Sequence, residues 1–168
     1  MTDRETGGDQ DSDLAVLTVE VDGLRCGLPL SDVVELHPVV ATVDLPGAPP
    51  VVDGAIDVRG TVVAVLDLRA RLGRPGREPR LSDHLVVSRV GLRTVALRVD
   101  RALDLSDIPR SCIDSAEDVG DTSYLKGVAR LADGLVLIHD LATFLSDDEA
   151  AALDDALVGA GNGQGAGH

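Results

Sequence analysis

The 168-residue chain has no tryptophan, and Tyr124 and Phe144 are its only aromatic residues. Any core must therefore be built from Val, Leu, Ile and Ala, and no aromatic platform exists on which bases could stack. Cations are also scarce: Lys and Arg total 15 against 29 Asp and Glu, giving a formal charge of −14. Such a field repels phosphate backbones and anionic membrane surfaces, so neither nucleic acid nor a membrane surface is expected as a partner. Cys26 and Cys112 stand far apart and form no CxxC or zinc spacing, so both are read as reduced apolar residues of a cytoplasmic protein. No apolar run approaches the roughly 18 residues of a spanning helix. The polar start, Met1 to Asp13, does not resemble a signal peptide.

What the chain does contain is short β-type runs punctuated by turn dipeptides. Gly54–Leu68, GAIDVRGTVVAVLDL, is the organising stretch. Ala55–Val58 ends one strand, Arg59-Gly60 turns, and Thr61–Leu68 is apolar enough to be buried on both faces. Leu14–Val21 and Leu24–Leu28 flank Asp22-Gly23, a hairpin signal. His84–Val90 and Thr94–Val99 form another hairpin around Gly91, and Leu103–Ile108 reads as a further strand. Tyr124–Leu131 and Leu135–His139 close on Asp133-Gly134, while Val39–Val43 is an edge-strand candidate among prolines. Arg69, Arg71, Arg74, Arg77 and Arg80 lie among Gly and Pro and read as a solvated loop between two halves rather than a basic patch. Ser146–Glu149 is a capping box opening a helix, and a glycine-rich flexible tail follows from Gly159.

Residues 54–72 and 127–145 align without a gap, matching Gly54 with Gly127, Val65 with Ile138, Asp67 with Asp140 and Leu72 with Leu145. This echo predicts two similar β-barrels in tandem and also separates fold from function. Asp67 and Asp140 recur, so each is read as the cap of a helical turn. His139 stands where the first copy has Leu66, which weakens a hydrolase reading built on His139 and Asp140. Arg59 faces Ala132 and is the residue singled out for function. No HExxH, GxSxG or P-loop occurs. No catalytic residue, metal site or cofactor is expected.

Several ordered pieces resemble the CheW-like coupling proteins of prokaryotic chemotaxis: LTVEVDGLRCGLPLSDVVEL, GAIDVRGTVVAVLDLRARLG, TVALRVDRALDLSDI, YLKGVARLADGLVLIHDLATFL and SDDEAAAL. The resemblance implies an all-β fold of two tandem SH3-like five-stranded barrels over residues 14–158. The divisions expected are a first barrel near 14–80, a second near 81–145 and a C-terminal helix near 146–158, with disordered tails at 1–13 and 159–168. It further implies a non-catalytic cytoplasmic adaptor, associated with membrane receptor arrays only through its partners. Those partners are the regulatory domain of a CheA-type histidine kinase and the cytoplasmic tip of chemoreceptors. Val33, Glu35, Gly54, Arg59 and Gly60 match positions the family uses for receptors, in a groove between the barrels. An amphipathic receptor helix would lie against Val33, and Arg59 would meet an acidic or carbonyl group on it. The alternative within signalling is a non-flagellar pathway such as surface motility or development. Family members often carry Asn at Asp57 and Pro at Ala64.

Overall fold

In the computed structural model, residues 13–115 and 125–166 are described. The expected N-terminal tail, apart from Asp13, and Tyr124 lie outside them. Eleven strands are described: β1 (Leu14–Val21), β2 (Leu24–Pro29), β3 (Val33–Pro38), β4 (Val52–Val58), β5 (Thr61–Asp67), β6 (His84–Val90), β7 (Arg93–Val99), β8 (Arg101–Ile108), β9 (Ile113–Ser115), β10 (Leu125–Leu131) and β11 (Gly134–His139). Helix α1 is the single turn Leu68–Arg71, and α2 runs from Asp147 to Ala166.

The strands form a six-stranded sheet ordered β8-β1-β2-β11-β10-β9 and a five-stranded sheet ordered β3-β6-β7-β5-β4. The expected division near residue 80 is therefore corrected. The first hairpin of each half is exchanged into the sheet of the other half. The registers of the two sheets match residue for residue. Leu36↔Val86 and Val33↔Ser88 in one sheet correspond to Leu105↔Leu17 and Ala102↔Val19 in the other, displaced by 69 residues. The parallel pair Ala64↔Val95 likewise corresponds to Leu137↔Cys26. Exchange satisfies both sets of backbone groups while tying the halves together, so neither sheet can form from one half alone.

Alternation on the strands sorts side chains into three cores. Ile56, Val58, Val63, Val65, Leu85, Val87 and Ala96 fill the five-stranded unit. Val16, Ile108, Ala129, Val136 and Ile138 fill the six-stranded one. The largest cluster joins the sheets through residues such as Leu17, Leu28, Ala64, Leu66, Leu97 and Phe144. Strand β5 serves two of these cores, Val63 and Val65 on one side and Ala64 and Leu66 on the other, which explains its unbroken apolar sequence.

Helix α2 starts as its capping box requires: Ser146 N donates to Glu149 Oε1 at 2.9 Å and Glu149 N to Ser146 Oγ at 3.1 Å. It continues to Ala166, past Gly159 where a flexible tail was expected. No proline intervenes, and each glycine costs about 1 kcal/mol against alanine without breaking the ladder. Val39–Val43 is not an edge strand: only Val43 bridges, to Ala55, through two backbone hydrogen bonds of 2.9 and 2.8 Å.

Candidate functional site

The site residues gather on the five-stranded sheet alone. The β4–β5 turn places Arg59 and Gly60 at φ 51° and 86°, the left-handed pair of a type I′ hairpin. Asp57 closes this turn by accepting from Gly60 N at 2.6 Å, so its carboxylate is spent locally. Arg59 Nη2 donates to Glu35 Oε1 at 2.6 Å. Glu35 lies on one edge strand and Arg59 directly follows the other. In a flat sheet these edges would be four strand spacings apart, roughly 19 Å. Their contact shows that the sheet is curled shut.

The free guanidinium expected from the sequence is thus corrected to a shared one. Yet the Arg59 side chain is 74% exposed and contacts Glu35 through one nitrogen, while Glu35 is 24% exposed. Such surface pairs contribute about 0–1 kcal/mol, so Arg59 keeps donors that face solvent.

Beside the turn lies a cavity of about 170 Å³, whose lining includes Val43, Leu45, Ile56, Asp57, Gly60 and Val62. Exposed Val34 and Leu36 flank Glu35 on β3, and Val43 is 72% exposed. Sequence reasoning chose Val33 and passed over Val34 and Leu36. Val33 is half-buried and packs against the joint core. Exposure alternates along Val33–Pro38, so Val34 and Leu36 share the solvent side of β3 and Val33 and Glu35 the other.

Gly54 is not available to a partner. It is buried, and an added Cβ would lie 2.6 Å from Val43 O. Its repeat, Gly127, would meet Asp114 O at 2.1 Å. The shared requirement is close approach of a neighbouring backbone rather than a positive φ, since Gly127 does not have one.

Residues 73–76 and 78–80 are exposed, as a solvated loop requires, but four of the five arginines of the run are paired with carboxylates. Arg69 reaches Asp100 at 3.0 Å and Asp22 at 3.5 Å. Arg77 reaches Asp83 at 2.8 Å and Asp100 at 2.7 Å. Arg71 pairs with Glu149 at 2.8 Å, and Arg74 with Asp22 at 3.4 Å. Buried Arg98 contacts Asp53, Asp67 and Asp83 at 2.6, 3.1 and 3.4 Å. Burial opposes the charge on Asp83 and Asp100. Hydrogen bonds and charges from their partners, Arg77 among them, outweigh it and hold both carboxyls below the usual range. At Asp67 burial wins over Arg98 and the carboxyl is pushed up.

Asp67 Oδ1 accepts from Arg69 N at 2.9 Å and Asp140 Oδ1 from Ala142 N at 3.1 Å, so both aspartates cap their turns. His139 is fully buried beside Phe144, and burial pushes it down to about 4. It is a neutral core residue, which removes the hydrolase reading. Burial likewise pushes the Cys26 thiol up to about 12. No cluster of potential metal ligands occurs among the described residues.

The model of the CheW-like domain family matches residues 15–149, and the chain belongs to that family. A chemotaxis protein CheW of Rhizobium meliloti is 30% identical over 112 residues, covering 64% of this chain and 72% of that protein. The chemotaxis protein CheW of Klebsiella aerogenes is 24% identical over 132 residues, 77% and 80% of the two chains. The scaffolding protein TtCheW of Thermoanaerobacter tengcongensis superimposes with a TM-score of 0.75 at 22% identity, covering 82% of this chain and 95% of its own. Proteins of this family are non-catalytic scaffolds, and this chain is not an enzyme. No helix among the described residues is long and apolar enough to cross a membrane.

Proposed function

We propose that the protein is an adaptor that couples chemoreceptors to a CheA-type histidine kinase, with the Arg59 turn as its receptor contact. The observation that carries this reading is the Arg59–Glu35 pair, with Arg59 exposed, beside a largely apolar cavity. It occurs in one half only, since Ala132 occupies the equivalent turn position. An amphipathic helix would set apolar side chains against Val43, Val62 and the exposed residues of β3. A carboxylate or carbonyl on that helix would share the guanidinium with Glu35 at little cost, because the pair is solvated. The protein itself would sit in the cytoplasm, reaching receptor arrays through its partners.

Calorimetric titrations against an isolated receptor-tip bundle and against the kinase regulatory domain test the reading. Both should bind the wild type, and Arg59→Glu should weaken the receptor alone. Absence of receptor binding by the wild type contradicts the adaptor assignment.

A further inference from the structure

The β4–β5 and β10–β11 hairpins share one register, so each residue around the Arg59 turn has a counterpart 73 positions on. The counterparts differ in charge. In the six-stranded sheet, Asp114 stands opposite Val128 and its carboxylate meets Arg130 at 2.9 Å, so that half neutralises its own acid. In the five-stranded sheet, Val43 stands opposite Ala55, the equivalent of Val128. Val43 therefore takes the place of Asp114, and Asp57 the place of Arg130. The internal cation is gone, and an acid stands where it was.

That change falls on the cavity beside the Arg59 turn. Among the described residues, the charged side chains lining it are Asp44 and Asp57, both exposed, around Val43, Leu45, Ile56 and Val62. Asp44 has no hydrogen bond or ion pair among the described residues. Asp57 accepts from Gly60 N, which holds the turn without cancelling the charge. Arg59 is already shared with Glu35. With Glu35 included, three carboxylates stand here against one guanidinium. A partner that brought acids alone would gain at Arg59 and be repelled by the rest of the site.

We infer that the helix bound here brings a lysine or arginine to Asp44 and Asp57 as well as an acid to Arg59, with an apolar side chain between them over the cavity. This assignment rests on the reading of the Arg59 turn as the receptor contact. Ala55, level with Val43, precedes Arg59 by four residues, roughly 13 Å of strand. Two turns of helix span about 11 Å, so the acid and the base fit seven residues apart on one face. Opposite charges at the two ends also set the direction in which the helix crosses, which apolar contact by itself leaves open.

Calorimetric titration of the full-length protein against a receptor-tip bundle tests this. The variants are Asp44→Lys, the pair Asp44→Asn with Asp57→Asn, and Arg59→Glu. Asparagine at 57 keeps an oxygen for Gly60 N, so the turn survives. Asp44→Lys should weaken binding about tenfold and the neutral pair by less, with melting curves unchanged. Both losses should shrink in 1 M salt, where the Debye length is about 3 Å. When each lysine and arginine of the tip is changed to glutamate in turn, one change should restore binding to Asp44→Lys. Failure of every such change to restore it overturns the inference. Wild-type affinity in both acid variants, while Arg59→Glu still weakens binding, overturns it too and leaves the receptor reading intact. A loss that comes with a lowered melting temperature and persists in 1 M salt also overturns it, because the acids then serve the fold. A wild type that binds no receptor tip overturns the adaptor reading instead, and this inference with it.

Discussion

Arg59 and Glu35 meet at 2.6 Å across the seam where the five-stranded sheet closes on itself, 24 residues apart in the chain. The pair joins a turn that the duplicate half builds without arginine to an edge strand that carries exposed Val34 and Leu36. A double-mutant cycle of Arg59→Ala and Glu35→Ala should give a coupling under about 1 kcal/mol, as for other solvated pairs. Receptor-tip affinity should nevertheless fall tenfold or more in Arg59→Ala. A coupling above about 2 kcal/mol would make the pair a structural clasp rather than an offered cation.

His139 gives stability a pH dependence of known sign. Burial pushes the ring down to about 4, whereas in the unfolded chain it takes up a proton near 6.5. Between those values the unfolded state binds more protons, so stability falls as pH drops from about 6.5 toward 4. The full effect is on the order of 3 kcal/mol. His139→Leu, which installs the residue found at the equivalent position 66, should abolish that slope in urea melts at pH 7, 6 and 5. An unchanged slope would show that other groups set it.

Removing Arg98 should be far more damaging than removing a cap. Arg98→Leu strands Asp53 and the buried Asp67, while Asp83 keeps Arg77, and should cost about 3–5 kcal/mol. Asp140→Ala loses one cap hydrogen bond and should cost about 0.5–2 kcal/mol. Chemical denaturation of both variants reads the contrast directly. Similar losses would mean that the buried network contributes no more than a helix cap.

The repeated glycines separate packing from conformation. Gly54→Ala and Gly127→Ala each drive a methyl against a backbone oxygen. Gly60→Ala meets open space and only the strain of φ 86°, about 1–2 kcal/mol. Both buried variants should therefore melt lower than Gly60→Ala, and the reverse order would refute the close-approach argument.

Hairpins were legible where a turn dipeptide fixed them, as at Asp22-Gly23 and Arg59-Gly60, because turn geometry is local, whereas the last hairpin turns on Ala132-Asp133, one residue before the expected Asp133-Gly134. The caps at Asp67 and Asp140 were legible from their repetition. The exchange of hairpins was not, because identical registers let β1–β2 pair with either half and sequence spacing does not choose. The ion pairs of the arginine run were missed for a related reason. Arg69 and Arg77 find Asp100 31 and 23 residues away, and an exposed Gly/Pro-rich stretch gives no local sign of such partners. Glu35 and Arg59 were both singled out, but their mutual contact depends on closure of the sheet, which no local pattern encodes.

Sedimentation of receptor-bearing membranes with the kinase tests the central claim most directly. With this protein present, the kinase should enter the pellet; without it, or with Arg59→Glu in its place, the kinase should stay in the supernatant. Kinase that pellets equally well in all three samples would contradict a coupling role for this chain.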